Sequence, residues 1–288
     1  MREFKLITDS CCDLDSEIIS KYDIGYIGLV CNIDGKELVE NFGKGLSYKE
    51  FYNKLSNGSI AITGQINPSR FYEEFEKYVK DKIDILYIAF SSALSGTYNS
   101  AVIAKNELLE KYPEAKIEII DSKAASSGQG LLVYLAAKYR EEGKDIEEVK
   151  QYVIEEMKKL YHYFSVDDLK YLERGGRISK GSAIIANAFN IKPILYVNEN
   201  GELKVLSKVR GKKRVIRELV SKIGENSEEN EIDEVFISHS DSDLVDDLCK
   251  AINEKYKVKR IVTNYIGLVI GSHTGKGTIA IFFIGKKK

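Results

Sequence analysis

Four short runs rich in β-branched and aromatic residues, Phe4 to Thr8, Gly25 to Cys31, Ile83 to Phe90 and Lys116 to Ile120, alternate with amphipathic segments through the first half of the chain. Strands joined by connections of helical length pair in parallel, and a parallel sheet is covered by helices on both faces. The pattern therefore predicts an α/β fold that begins with a parallel-sheet, three-layer domain. Between the second and third runs, Asn67 and Pro68 read as an N-cap followed by proline at the first helical position. Phe71, Phe75, Tyr78 and Val79 then recur at the spacing of a core-facing helix stripe. Two more helices are expected after the fourth run, from about Ser127 through Arg140 and from Ile146 through Leu160, with a break at Glu142-Gly143-Lys144.

The grammar changes near Tyr161. Lys192 to Val197 and Glu202 to Val209 alternate in polarity on either side of Asn198-Glu199-Asn200-Gly201, and Asn-Gly between two such runs is a hairpin signal. A helix near Lys212 to Ile223, a strand at Glu234 to His239, a helix at Asp241 to Tyr256, a strand at Arg260 to Asn264 and a last strand at Thr278 to Ile284 come after it. These describe a C-terminal two-layer α/β domain with a mixed sheet. The expected domains are residues 1–160 and 161–288, and a chain of 288 residues is long enough for two cores.

Composition narrows the partners. Lys and Arg number 43 against 44 Asp and Glu, which argues against a protein that lives on nucleic acid, where clustered cations must neutralise phosphates. A basic run from Lys208 to Arg217 and an acidic one from Glu225 to Glu234 read as solvated surface; the other reading of the basic run is a face for an anionic membrane or an acidic partner. A regulator that uses that run on nucleic acid is disfavoured by the charge balance. Cys11, Cys12, Cys31 and Cys249 form no CxxC pair and no spaced metal set, and no apolar signal core follows Met1. The expectation is a cytoplasmic protein without a metal. The uncharged stretch from Ile85 to Ala104 carries Ser91, Ser92, Ser95, Thr97 and Asn99, too polar for a membrane span.

Several segments have the chemistry of a site. Ser91-Ser92-Ala93-Leu94-Ser95-Gly96-Thr97-Tyr98 follows a strand and opens a helix, which puts hydroxyls and free N–H groups where an anion binds; Ser95 or Thr97 as a plain N-cap is the other reading. Thr63-Gly64-Gln65, expected in a loop before a helix, offers a second hydroxyl. Thr8-Asp9-Ser10-Cys11 and Asp121-Ser122-Lys123 close strands at the end where such sheets place crevice residues, or equally cap the next helix. In Leu172-Glu173-Arg174-Gly175-Gly176-Arg177-Ile178-Ser179 two glycines let the backbone turn while Arg174 and Arg177 present guanidinium groups suited to carboxylate or phosphate, unless the segment is a helix C-cap with solvated arginines. Gly271 to Thr278 imitates a phosphate loop with the wrong spacing, and its dinucleotide-like glycines feed a strand instead of a helix. His273 lies in that Gly-rich stretch, whereas His162 and His239 lie in or beside strand-like runs. Ser95 with His273 raises a serine esterase, but the chain has no GxSxG elbow and no evident third member.

Taken in order, Thr8-Asp9-Ser10, Thr63-x-Gln65, Ser91-Ser92-x-Leu94-Ser95-Gly96-Thr97-Tyr98, Asp121-Ser122, Leu172-x-Arg174-Gly175-Gly176-Arg177-Ile178, Lys192-Pro193-Ile194 and Gly271-x-His273-x-Gly275-x-Gly277 resemble the DegV family of bacterial fatty-acid-binding proteins. The resemblance covers essentially the whole chain, about residues 4–286. It implies two α/β domains and one long-chain fatty acid, of the palmitate or oleate class, held in a tunnel between or within them. It assigns the carboxylate to Thr63 and Ser95, with Gly96, His273 and one or other of Arg174 and Arg177 as candidates for further headgroup contacts. It also implies a binding protein and not an enzyme, with no cofactor besides the bound lipid, a role in lipid transport or fatty acid metabolism, and a separate kinase that converts the bound acid to an acyl phosphate. Ile184, Ile185 and Phe189 are candidates for the tunnel wall, with ordinary core packing as the default.

Overall fold

The computed structural model describes residues 4–179, 190–227 and 231–287. The first half carries strands β1 (Phe4–Asp9), β2 (Gly25–Ile27), β3 (Val30–Ile33), β4 (Lys36–Val39), β5 (Ala61–Gly64), β6 (Asp84–Ala89) and β7 (Ile117–Asp121). Its helices are α1 (Ser16–Lys21), α2 (Tyr48–Ser56), α3 (Pro68–Val79), α4 (Thr97–Lys111), α5 (Ser127–Glu141) and α6 (Ile146–Met157). Then come β8 (Leu160–Ser165), α7 (Lys170–Arg174), β9 (Ile191–Val197), β10 (Leu203–Arg210) and α8 (Lys212–Asn226). The chain ends with β11 (Glu231–His239), α9 (Val245–Lys255), β12 (Lys257–Tyr265), α10 (Leu268–Thr274) and β13 (Ile279–Ile284).

The parallel sheet read from the first half is present, four-stranded in the order β2-β1-β6-β7. Its burial reflects alternation on a strand covered from both sides. In β6, Leu86 and Ile88 join the core that includes α5 and α6, while Ile85, Tyr87 and Ala89 join the core that includes Phe71 and Phe75 of α3 and Ala101 and Ala104 of α4. Helix α3 starts as its sequence prescribes, with the Asn67 side chain accepting from the Arg70 N–H at 2.9 Å and Pro68 in the first turn.

The mixed sheet is six-stranded, in the order β10-β9-β8-β13-β11-β12, antiparallel except for the β11–β12 pair. One face packs Ile194, Val235, Ile281 and Phe283 against α8 and α9. The other face turns Phe164, Ala280 and Phe282 toward α5, whose Leu131 and Leu132 sit in the same core as Leu86 and Ile88 of the first sheet. A single apolar core thus runs from one sheet to the other through α5. The Asn-Gly hairpin is there: Gly201 adopts φ +81°, and Asn198 Oδ1 accepts from the N–H groups of Asn200 and Glu202.

Some local expectations need correction. The run from Gly25 to Cys31 is two strands, because at Gly28 the backbone passes against the Glu40 carbonyl where a Cβ has no room, and Leu29 N–H turns to Ser10 Oγ at 2.8 Å. Its second part, β3, belongs to a separate three-stranded antiparallel sheet, β4-β3-β5, packed on α2. The Asp34-Gly35 turn, with φ +53° and +77°, closes the β3–β4 hairpin. Thr63 is therefore on a strand, β5, and not in a loop, and His273 is on the helix α10 and not in a glycine loop. The helix begun at Ile146 ends at Met157 because Leu160 already pairs with Ile284 in the mixed sheet. Helix α9 starts at Val245, later than the sequence pattern suggested. Ile184, Ile185 and Phe189 lie outside the described residues. Among the described residues no helix is long and apolar enough to cross a membrane.

Candidate functional site

An internal cavity of about 210 Å³ lies between the two halves. Its walls are mostly apolar, among them Leu29, Phe90, Phe164, Leu203, Val269 and Phe282, and its polar groups include Thr63, Ser95, Arg177 and His273. Four separate segments bring these together, Arg177 coming from the turn after α7. The small sheet supplies Thr63 from β5, the loop after β6 supplies Ser95 at the start of α4, and α10 supplies His273.

Helix α10 is held in place by polar contacts at both ends. Its first amides are gripped by two buried carboxyls: Gly267 N–H donates to Asp13 Oδ1 at 2.8 Å, and Leu268 N–H donates to Glu40 Oε2. Near its other end Ser272 Oγ lies 3.4 Å from Cys31 Sγ of β3. This seating brings His273 Nε2 to 2.8 Å from Thr63 Oγ1. The opposite ring nitrogen lies against the backbone of Gly175, where a Cβ would overlap Nδ1, so glycine is required by close approach. Burial, with Arg177 and Arg174 nearby, pulls the His273 imidazole down to about 4, which leaves it neutral at pH 7.

Ser95 Oγ is 2.9 Å from Thr97 Oγ1 and accepts from the Thr97 N–H at 3.2 Å. Gly96 comes next in the lining, and a Cβ there would overlap the Gln65 amide, whose nitrogen donates to Ser100 Oγ at 3.2 Å. Gly64 and Gln65 line the cavity and are also exposed, so they form its rim. Arg177 is half-buried, donates from Nε to the Leu94 carbonyl at 3.1 Å, and brings a guanidinium into the lining. Arg174 is exposed and lies over the Tyr171 ring at 5.0 Å, outside the lining. Of the six residues singled out from sequence, Thr63, Ser95, Gly96, Arg177 and His273 converge on this cavity and Arg174 does not.

The arrangement suits an anionic head on an apolar body. One guanidinium supplies charge, two hydroxyls supply directed donors, and the neutral imidazole adds no charge. It does not suit hydrolysis by Ser95, because His273 is hydrogen-bonded to Thr63, and Ser95 to Thr97. Sequence reasoning missed the apolar lining on β8 and β13, although Phe164 and His162, and Ala280 and Phe282, are spaced at two residues and share one sheet face. The other strand-end residues are structural. Asp9 is buried and accepts from Tyr87, Phe90 and Gln129, and Asp121 pairs with Lys123 at 2.6 Å.

Fold and cavity together define an α/β protein of three sheets with an amphipathic pocket lined from both halves. The family model described as "Uncharacterised protein, DegV family" matches residues 3–286, and the chain belongs to the DegV family. A DegV domain-containing protein of Clostridium perfringens, CPE0026, is 50% identical over 289 residues, covering 100% of this chain and 99% of that protein. Among solved structures, a DegV protein of Thermus thermophilus described for its fatty acid binding matches with TM-score 0.89 and 27% identity, over 99% of this chain and 100% of that one. A Thermotoga maritima protein described as a DegV lipid binding protein matches with TM-score 0.87 and 30% identity, again over 99% and 100%.

Proposed function

We propose that this chain is a carrier that holds one long-chain fatty acid, of the palmitate or oleate class, in the internal cavity with its carboxylate at Thr63, Ser95 and Arg177. The observation that carries this reading is the cavity itself: apolar walls with hydroxyls, a guanidinium and an imidazole gathered where Thr63 meets His273. The fatty-acid-binding and lipid-binding relatives support the ligand class.

The energetics are adequate. Burying ~14 methylenes at ~0.8 kcal/mol each yields roughly 11 kcal/mol of gross attraction before ordering costs. The carboxylate keeps that gain only if it is compensated. With His273 as the Nε2–H tautomer donating to Thr63 Oγ1, the single proton of Thr63 is free for the carboxylate. Thr97 donating to Ser95 leaves the Ser95 proton free in the same way. Gly96 lets the backbone come close, and Arg174 stands just outside for whatever approaches the rim.

The exposed rim at Gly64 and Gln65 puts the head end within reach of a second protein. In this reading a separate kinase subunit phosphorylates the presented carboxylate, the chain itself is not an enzyme and uses no cofactor, and its role is lipid transport or fatty acid metabolism in the cytoplasm. Residues 1–160 and 161–288 act as its two domains. The exposed cations Lys208, Arg210, Lys213, Arg214 and Arg217 suit a transient contact with an anionic membrane surface, and nucleic acid is not a partner.

Organic extraction of the purified protein followed by mass spectrometry should recover about one fatty acid per chain. Recovery of none, with no uptake of added palmitate or oleate, refutes the carrier reading.

A further inference from the structure

The cavity has an end remote from Thr63, and strand β13 leads to it. Thr278, at the end of the loop between α10, with its His273, and β13, then Ala280 and Phe282 on one face of that strand, line the cavity in succession. Across the ladder, Phe164 stands opposite Ala280 and His162 opposite Phe282. At about 3.4 Å per residue, Thr278 to Phe282 spans roughly 14 Å. The Phe282–His162 pair therefore lies at the tail end of any chain whose carboxylate sits at Thr63.

Two residues stand between that end and a neighbouring hollow. His162 is buried and meets the Phe282 ring edge-on, with centroids 5.6 Å apart. Val197, also buried, lines the cavity beside it. The same two residues, and no others among the described lining residues, also line a hollow on the far side, formed with Ser122, Met157, Lys158, Asn198 and Glu199. Gly128, in the first turn of α5, permits this packing: a Cβ there would come within 2.8 Å of His162 Nε2 and 2.9 Å of Phe282 Cδ1.

We propose that His162 and Val197 form the end wall of the acyl cavity and set the longest chain the protein accepts. The inference rests on the fatty-acid reading above and adds to it the determinant of chain length. A tail that outgrows the cavity must push out the wall or draw its carboxylate off Thr63 and Ser95. Trimming the wall joins the cavity to the hollow and lets further methylenes be buried.

The test uses the delipidated full chain and calorimetric titration with myristate, palmitate, stearate, arachidate and behenate. The affinity of the unaltered protein should rise to one member of the series and fall beyond it. In His162→Ala the fall should move to a longer acid, and the next member past the original optimum, longer by two methylenes, should gain roughly tenfold. Acids at or below the optimum should change by less than about threefold, since the contacts they use remain. Val197→Ala, which removes less from the sheet, should move the limit in the same direction and stands in if His162→Ala does not fold. Gly128→Ala should press the imidazole inward and shorten the limit. An unchanged limit in variants that bind palmitate and melt normally refutes the wall alone, as does an unaltered protein that binds behenate as tightly as palmitate. Failure of the unaltered protein to bind any of the acids refutes the carrier reading and, with it, the wall.

Discussion

Replacing Asp13 by Asn should flatten the dependence of stability on pH. Asp13 sits in a left-handed backbone conformation, φ +46°, and its carboxyl is buried between Gly267 N–H and the Ser126 hydroxyl. The Glu40 carboxyl is on the neighbouring amide, and both carboxyls come within about 3 Å of the position a Cβ on Gly267 would take. Burial raises Asp13 from 3.8 to about 8, against the pull of those hydrogen bonds, and burial raises Glu40 and Asp9 as well. A carboxyl raised in the folded state holds its proton more tightly than the unfolded chain does, so between pH 4 and 8 the native state carries more protons. Stability must therefore fall as pH rises through that window, by up to about 1.4 kcal/mol per pH unit from this group. Between pH 5 and 7 the loss due to Asp13 is about 3 kcal/mol. An asparagine keeps the acceptor for Gly267, and the Ser126 hydroxyl, which also reaches Ser238 Oγ at 3.0 Å, can turn to accept from the new amide. Urea unfolding at pH 5, 6 and 7 should show the variant gaining on the wild-type chain by about 3 kcal/mol over that range. Equal slopes in the two proteins would show that Asp13 is ionised in the fold and refute the reasoning.

Ser95→Ala and Thr63→Val each delete a hydroxyl assigned to the carboxylate; a hydrogen bond to a charged group is worth about 1.5–3 kcal/mol, so palmitate should bind roughly 10- to 100-fold more weakly by titration. A loss of less than about threefold in both would move the headgroup elsewhere. Gly175→Ala should drive the His273 ring off Thr63, because the new methyl overlaps Nδ1. Its readout is the His273 ring resonance, which in the wild-type chain should show no titration above pH 5, since burial holds the imidazole down near 4. A wild-type midpoint near 6.5, or an unshifted resonance in the variant, would overturn that placement.

The elements legible in the sequence were those with local causes. Asn67-Pro68 starts α3, Asn200-Gly201 turns the β9–β10 hairpin, and the four apolar runs became strands of the first half. The small sheet escaped notice although its Asp34-Gly35 turn is as strong a signal as Asn200-Gly201, because β3 and β4 are four residues each and too short to show a period. Thr63 reads as a loop residue because Ile60, just before β5, and Ile62 within it are exposed and Gly64 comes next, so nothing apolar and alternating marks β5. His273 looked like a loop residue because glycines flank it, yet Gly271 fits inside α10 where Tyr52 and Phe51 leave no space for a side chain.

By itself the sequence determined the α/β class, the change from a parallel to a mixed sheet near Tyr161, and the residue types from which an anion-binding end is made. Only the tertiary structure decided that Thr63 and His273 meet across 210 positions of chain, that Arg177 and not Arg174 enters the lining, and that His162 and Val197 line both the cavity and the hollow beside it. The physical reason is that caps, turns and periodicity act within a few residues. A cavity is the space left between surfaces packed from distant parts of the chain, and no local pattern records its shape.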